Sequence, residues 1–134
     1  MQNVTIGTIH QLIDKSAAVT ATGAGSAVVD LQDYQGVAAI ILNSGGIDDT
    51  DTSASPTCTV KLQTAIDTAF TVPVDVTGGG FTAISTTAAS SQELAIDLAG
   101  STVNRYLRAY HTVASEANAT AYVGVVGLFC ERGW

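Results

Sequence analysis

The chain has 134 residues and carries 12 acidic against 5 basic side chains, a formal charge of −7. That balance argues against nucleic acid and against anionic membrane as partners, because both are held by clustered Lys and Arg. Charged residues make up only 13% of the chain, about half the share in an ordinary domain, so Thr, Ser, Gly and Ala must supply much of the surface. Such a surface suits contact with other protein, and it equally suits a stable monomer with a hydroxyl-rich exterior.

The length argues for one domain, able to bury roughly two thirds of its unfolded-chain surface. No run of about 18 apolar residues is present to form a transmembrane helix. Met1 to Ala18 mixes polar and acidic residues into its apolar ones and lacks the basic start and unbroken apolar segment of a signal peptide. The expectation is a protein made and kept in a cytosol.

Residues 1–26 are the least regular part. Ile6, Ile9, Leu12 and Ile13 have near-helical spacing, weakened as a helix signal by the β-branched residues around them. Ser16 to Ser26 is small and polar, with Gly23 and Gly25. The stretch reads as an N-terminal arm ahead of a folded body at 27–134. Either the arm reaches a neighbouring subunit, with Ile9 and Leu12 as its contact residues, or it is a frayed terminus.

From Ala27 onward strands recur. Ala27 to Leu31 is a first short one. Gly36 to Leu42 is almost wholly apolar and is expected to be central and covered on both faces. Asn43 to Thr57, punctuated by Gly45, Gly46 and Pro56, reads as a long loop. Cys58 to Ala65 alternates, with Cys58, Val60 and Leu62 facing one way. Phe70 to Val76 places Phe70, Val72, Val74 and Val76 on one face, and Pro73 makes it an edge or a bulged strand. Gly78 to Gly80 breaks the chain, Phe81 to Ile84 is a short strand, and Thr86 to Ser91 is a polar turn.

Gln92 to Leu98 turns Leu94, Ile96 and Leu98 inward. Asn104 to His111 sets Arg105, Leu107 and Ala109 against Tyr106, Arg108 and Tyr110. Ala114 to Asn118 is a loop, and Thr120 to Cys130 is a long closing strand rich in Val and Gly. About eight strands and no helix in the body predict an all-β antiparallel sandwich of jelly-roll type.

Enzymatic constellations are weak. Gly23-Ala24-Gly25-Ser26 lacks the third glycine and the strand–helix context of a phosphate loop, and no nucleophile-elbow motif accompanies His10 or His111. Asp48, Asp49 and Asp51 could offer oxygen ligands to Ca²⁺, but without EF-hand spacing they read as a solvated loop tip. Asp67, Asp75, Glu93 and Asp97 are candidates for a glycosidase pair, against which the 6% of aromatic residues counts. Cys58 and Cys130 have no partner at metal spacing and read as two buried thiols. No catalytic residue, cofactor or metal ligand is assigned.

The polar residues of most interest are Arg105, Tyr106 and Arg108. Two of five bases fall in one strand, beside a tyrosine. Arg and Tyr are enriched at protein interfaces, yet a sheet-face ion pair with a neighbouring acid explains the pattern equally well. Trp134, the last residue, either anchors in a neighbouring subunit or docks on its own sandwich.

Three segments carry a recognisable pattern: Val-Asp-Leu-Gln-Asp-Tyr-Gln-Gly (Val29 to Gly36), Val-Lys-Leu-Gln-Thr-Ala-Ile-Asp (Val60 to Asp67) and Arg-Tyr-Leu-Arg-Ala (Arg105 to Ala109). Their strand texture and order, over roughly Ala27 to Phe129, resemble the head decoration or cement proteins of tailed bacteriophages. The resemblance implies a non-enzymatic jelly-roll subunit made in the bacterial host cytoplasm. It also implies that the subunit sits on the capsid exterior of the virion, forms homotrimers and has the major capsid protein as partner. It fixes no contact residue. The alternative is a carbohydrate- or receptor-binding β-sandwich module of a phage tail.

Overall fold

The computed structural model describes residues 7–14, 18–25, 27–49, 56–85, 87–114 and 119–131. Among them are nine strands, one 3₁₀ turn (Leu31–Asp33) and no α-helix: β1 (Gly7–Ile13), β2 (Gly23–Ala24), β3 (Val29–Asp30), β4 (Tyr34–Asp49), β5 (Thr57–Ala65), β6 (Val74–Gly80), β7 (Ser90–Asp97), β8 (Tyr106–Ala114) and β9 (Ala119–Glu131). They form two antiparallel sheets, hereafter sheet A in the order β1-β9-β4-β7 and sheet B in the order β2-β8-β5-β6, with β3 also on β8.

The pairings are nested. β1 pairs with β9, β2 and β3 with β8, β4 with β7, and β5 with β6. The chain is thus one long hairpin, rolled so that β4 also meets β9 and β5 also meets β8. This is the jelly-roll connectivity, and it makes the molecule an all-β sandwich.

Alternation builds the core between the sheets. Ala38, Ile40 and Leu42 of β4, Val123, Val125 and Phe129 of β9, Cys58, Val60 and Leu62 of β5, and Leu107 and Ala109 of β8 are all buried. Each large apolar side chain contributes about 1.5–3 kcal/mol by leaving water. The buried hydroxyl of Thr64 is satisfied, its Oγ1 accepting the Asn104 N–H at 2.7 Å. At Gly127, a Cβ would stand 2.5 Å from the Phe129 ring and 3.1 Å from Ile40, so only glycine lets Phe129 fill this part of the core.

The first expectation to be corrected concerns the N-terminal stretch. Gly7–Ile13 is no helix but a strand paired with β9. A register shift between Gln11 and Ile13 turns both Leu12 and Ile13 inward, and Leu12 is fully buried. Two successive inward residues imitate helical spacing, which is why the sequence pattern misleads. Val19 lies along the same side of β9 as β1, exchanging two main-chain hydrogen bonds of 2.8 Å with Ala121, and β2 pairs with β8.

Other expectations shift as well. Asn43 to Asp49 is not loop but the continuation of β4, held by the long β9 ladder. Gly46, at φ 98°, accommodates the bulge between Ser44 and Gly46, where the Ser44 Oγ accepts the Gly46 N–H at 2.9 Å. Residues 50–55 of the expected loop, and 115–118 of the next, lie outside the described residues. β4 is central in its sheet but covered on one face only: Val37 is exposed and Ile41 half-buried.

The Phe70–Val76 strand begins only at Val74 and runs through the triple glycine. β6 is an edge strand, as Pro73 indicated. Phe81 to Ile84 is no strand; it touches β5 through the Phe81 N–H to Val60 carbonyl bond and an isolated bridge at Ile84.

Because β1 completes the core, Leu12→Ala is expected to destabilise the chain by about 2–5 kcal/mol. Ile9→Ala, at an exposed position of the same strand, is expected to change stability by less than about 0.5 kcal/mol. Urea unfolding followed by fluorescence separates the two.

Candidate interaction face

The outward surface of sheet B gathers the polar residues singled out above. On β5 and β8 the inward positions are mostly apolar, with Cys58, Val60, Leu62, Leu107 and Ala109 buried, so the alternate positions point out: Lys61 and Gln63 on β5, and Tyr106, Arg108 and Tyr110 on β8. The register sets Lys61 opposite Tyr110, Gln63 opposite Arg108, and Ala65 opposite Tyr106. Asp75 of β6 lies opposite Gln63 on the other side.

A continuous network follows from that register. Lys61 Nζ pairs with Asp75 Oδ2 at 2.8 Å, and Gln63 Nε2 donates to Asp75 Oδ1 at 3.4 Å. Arg108 donates through Nε and Nη2 to Gln63 Oε1 at 3.1 and 2.9 Å. The guanidinium lies 4.2 Å from the Phe70 ring centre and 5.5 Å from that of Tyr110. Stacking of this kind is worth about 0.5–2 kcal/mol, more as water is excluded.

Phe70 is buried at φ 52°, the left-handed region, in a turn closed by Asp67. Asp67 Oδ1 accepts from the Thr71 N–H and hydroxyl, both at 3.2 Å, and the Asp67 carbonyl accepts the Phe70 N–H at 3.3 Å. Holding a bulky residue there costs on the order of 1–3 kcal/mol. The turn thereby places an aromatic platform beneath Arg108.

Arg105 sits just ahead of β8 and forms a two-pronged pair with Asp30, at 3.0 and 2.8 Å, with its guanidinium 5.1 Å from the Tyr106 ring centre. The hydrogen bond from Arg105 holds the Asp30 carboxyl below the usual range, and the bond from Lys61 does the same for Asp75. Both readings of this strand therefore have a counterpart. Arg105 makes the sheet-face ion pair. Arg108, among the described residues, has no carboxylate partner. All three bases among the described residues, Lys61, Arg105 and Arg108, lie on this side of the molecule.

The remaining candidates are scattered. Ile9 is exposed on sheet A, whereas Leu12 is sealed inside its own core and cannot touch a neighbour, a correction to its expected role. Trp134 lies outside the described residues, as does Asp51. Asp97 accepts the Ala99 N–H, Asp75 is bound to Lys61, Asp67 closes its turn, and Glu93 points out from sheet A, so these four acids do not converge. Among the described residues no group of His, Cys, Asp and Glu forms a metal site. Cys58 is buried and its thiol is pushed up to about 11 by desolvation; Cys130, expected to be buried, is half-exposed, and both are free.

The two histidines have separate settings. His10 Nε2 lies 2.6 Å from the Tyr34 hydroxyl, and its ring meets Tyr34 and Phe129 edge-on. His111 lies under the segment that leads into β2, at a groove of about 520 Å³ lined by Ile13, Asp14, Val19, Ala21 and Gly25. Its ring donates to the Ala21 carbonyl, while Nδ1 is buried with no partner.

Gln63, Phe70, Asp75 and Asp30 were not anticipated as parts of this face. Gln63 shares the parity of Lys61, a signal that was available. Phe70 was hidden because its role depends on a left-handed turn. Comparison with known protein families finds no match, and no curated protein matches the chain.

Burial lowers the His111 pKa below its ordinary 6.5, despite the bond to Ala21. The unfolded chain then binds the proton more readily, so stability is full above pH 6.5 and is lost as pH falls below it. The lowered carboxyls of Asp30 and Asp75 lose their contribution only below 3.8. A melting-temperature profile is expected to fall in two stages on acidification, and His111→Gln is expected to remove the upper stage alone.

Proposed function

We propose that this chain is a non-enzymatic structural protein of a bacteriophage virion, which binds the capsid exterior as a homo-oligomer, a trimer by the resemblance drawn above, and stabilises the shell. Its direct partners are the major capsid protein and other copies of itself. The observation that carries the reading is the outward face of sheet B, where Lys61, Arg105 and Arg108 stand among Tyr106, Tyr110 and Phe70. Arg and Tyr packed together in this way are typical of protein–protein contact. The jelly-roll connectivity agrees with the expected subunit, and jelly rolls recur in viral capsid domains as well as in lectins.

A cement role makes limited demands on each subunit. Many moderate contacts repeated by symmetry add through multivalency, so no deep pocket is required. A surface poor in charge lowers the desolvation cost of each such contact.

The test is co-sedimentation of the purified chain with mature heads of the phage whose genome carries the sequence, stripped of this protein. Saturable binding at a fixed ratio to the major capsid protein, with increased resistance of the heads to heat, is the expected result. Absence of binding, together with retention of the chain on a glycan array, would transfer the reading to the carbohydrate-binding module.

A further inference from the structure

One segment bridges the two sheets. Residues 18–25 form a strap that is bound to sheet A through the paired hydrogen bonds of Val19 with Ala121, and to the outer edge of β8 through β2. On β8 the Gly25 N–H donates to the Ala109 carbonyl at 2.8 Å. The Thr22 hydroxyl accepts the Val113 N–H at 3.1 Å and donates to the Val113 carbonyl at 3.4 Å. Apart from Val19, no side chain of the strap is buried. Part of its length borders the groove of about 520 Å³ instead of packed core. A segment with so few buried contacts belongs to the part of a fold that opens at least cost.

His111 lies beneath this strap. It pairs with Val60 and shares the inward parity of Leu107 and Ala109, so its ring points between the sheets. The ring donates to the carbonyl of Ala21, between the anchors at Val19 and Gly23, while Nδ1 is buried with no partner among the described residues. A neutral ring suits this site, with its one N–H used and one lone pair idle. A protonated ring carries a second N–H and a charge, and a buried charge without a partner is costly. The elements around the ring offer little to offset it. The strap has no titratable side chain. β5 presents Val60 and, at the next inward position, Cys58, whose thiol burial keeps protonated. β9 presents the buried Ala121 and Val123. Arg108 and Tyr110 of β8 itself point to the opposite face. Asp14 borders the same groove, and its Oδ1 accepts from Gln11 at 3.3 Å. What acts on the ring's proton is burial first and the Ala21 bond second.

We propose that His111 is an acid-released latch, whose protonation lifts residues 18–25 off β8 and β9 while the rest of the sandwich stays folded. Lifting the strap lets water reach both ring nitrogens. It also uncovers the groove and bares the outer edge of β8 from Ala109 to Val113, a row of main-chain groups open to an added strand. β1 and β3, on either side of the strap, keep their own pairings with β9 and β8. The direction follows from the setting of the ring. Burial lowers the His111 pKa from 6.5 in the latched form, so the open form binds the proton more readily. Opening therefore grows as pH falls below 6.5, by at most about tenfold per pH unit. The latch is independent of the capsid reading and is tested on the isolated chain.

The experiment is hydrogen–deuterium exchange with mass spectrometry on the full chain at about pH 7.5 and about pH 5, corrected for the intrinsic pH dependence of amide exchange. Peptides covering residues 18–25 are expected to lose protection several-fold at the lower pH, with a ceiling of about 30-fold set by linkage. Peptides from the β4–β9 ladder are expected to keep theirs. His111→Gln, which can still donate to Ala21 but takes up no proton, is expected to hold the strap equally at both pH values. Thr22→Val, which removes the two bonds to Val113, is expected to speed strap exchange at both values and leave their ratio unchanged. NMR titration of the wild-type His111 ring, expected to have its midpoint below 6.5, provides a readout that needs no variant. Strap protection that does not change with pH overturns the proposal, as does a loss shared equally by the ladder, an acid response that survives in His111→Gln, or a ring midpoint at or above 6.5.

Discussion

The ladder between β4 and β9 is the constraint from which the rest of the molecule follows. These two longest strands run side by side at the centre of sheet A, from the Tyr34–Glu131 pair to the Asp49–Ala119 pair. Their inward residues supply much of the core. β1 can join only because β9 offers its other edge, and β7 only because β4 does. The bulges in the ladder adjust which residues face inward, at Ser44 to Gly46 and near Tyr34, so that strands of unequal curvature stay paired. Loss of register here by one residue would reverse the two faces of both strands.

The candidate face depends on the same logic one layer away. β5 and β8 place Gln63 opposite Arg108 because Leu62 and Leu107 must point inward. Once that is settled, Gln63 becomes a bridge, accepting from Arg108 and donating to Asp75, while Lys61 completes the line. Arg105 sits where the pair with Asp30 takes up its charge. Two arginines three residues apart thus have different fates: one is used internally, the other is held in place with its charge unmatched among the described residues.

Much of this was legible in the sequence and some was not, for specific reasons. The alternation of Cys58 to Ala65 and of Tyr106 to Tyr110 is a local property, and it gave the correct inward and outward sets; Arg105, grouped with the inward Leu107 and Ala109, instead lies exposed ahead of the strand. The all-β class followed from such segments. Long-range pairing is not local, and that is where expectation failed. Asn43 to Asp49 has the composition of a loop but becomes strand because β9 lies beside it. Leu12 and Ile13 both turn inward because of a bulge that no single-strand pattern reveals. Phe70 was assigned to a strand face, and a left-handed turn instead put it under Arg108. Within the candidate face, Arg105, Tyr106 and Arg108 were visible as a cluster, whereas their partners Asp30, Gln63 and Asp75 come from distant parts of the chain.

The nested pairing also sets an order in time. β5 and β6 lie next to each other along the chain and can meet as soon as both exist, whereas Thr8 and Glu131, joined by a hydrogen bond, are 123 residues apart. On a ribosome adding about 5–20 residues per second, β1 waits roughly 6–25 s for its partner strand. During that interval Ile9, Leu12 and Ile13 stand as an unpaired apolar edge, open to the corresponding segment of another nascent chain. The same strand that seals the finished core is therefore the part of the molecule most exposed to misassembly while the protein is being made.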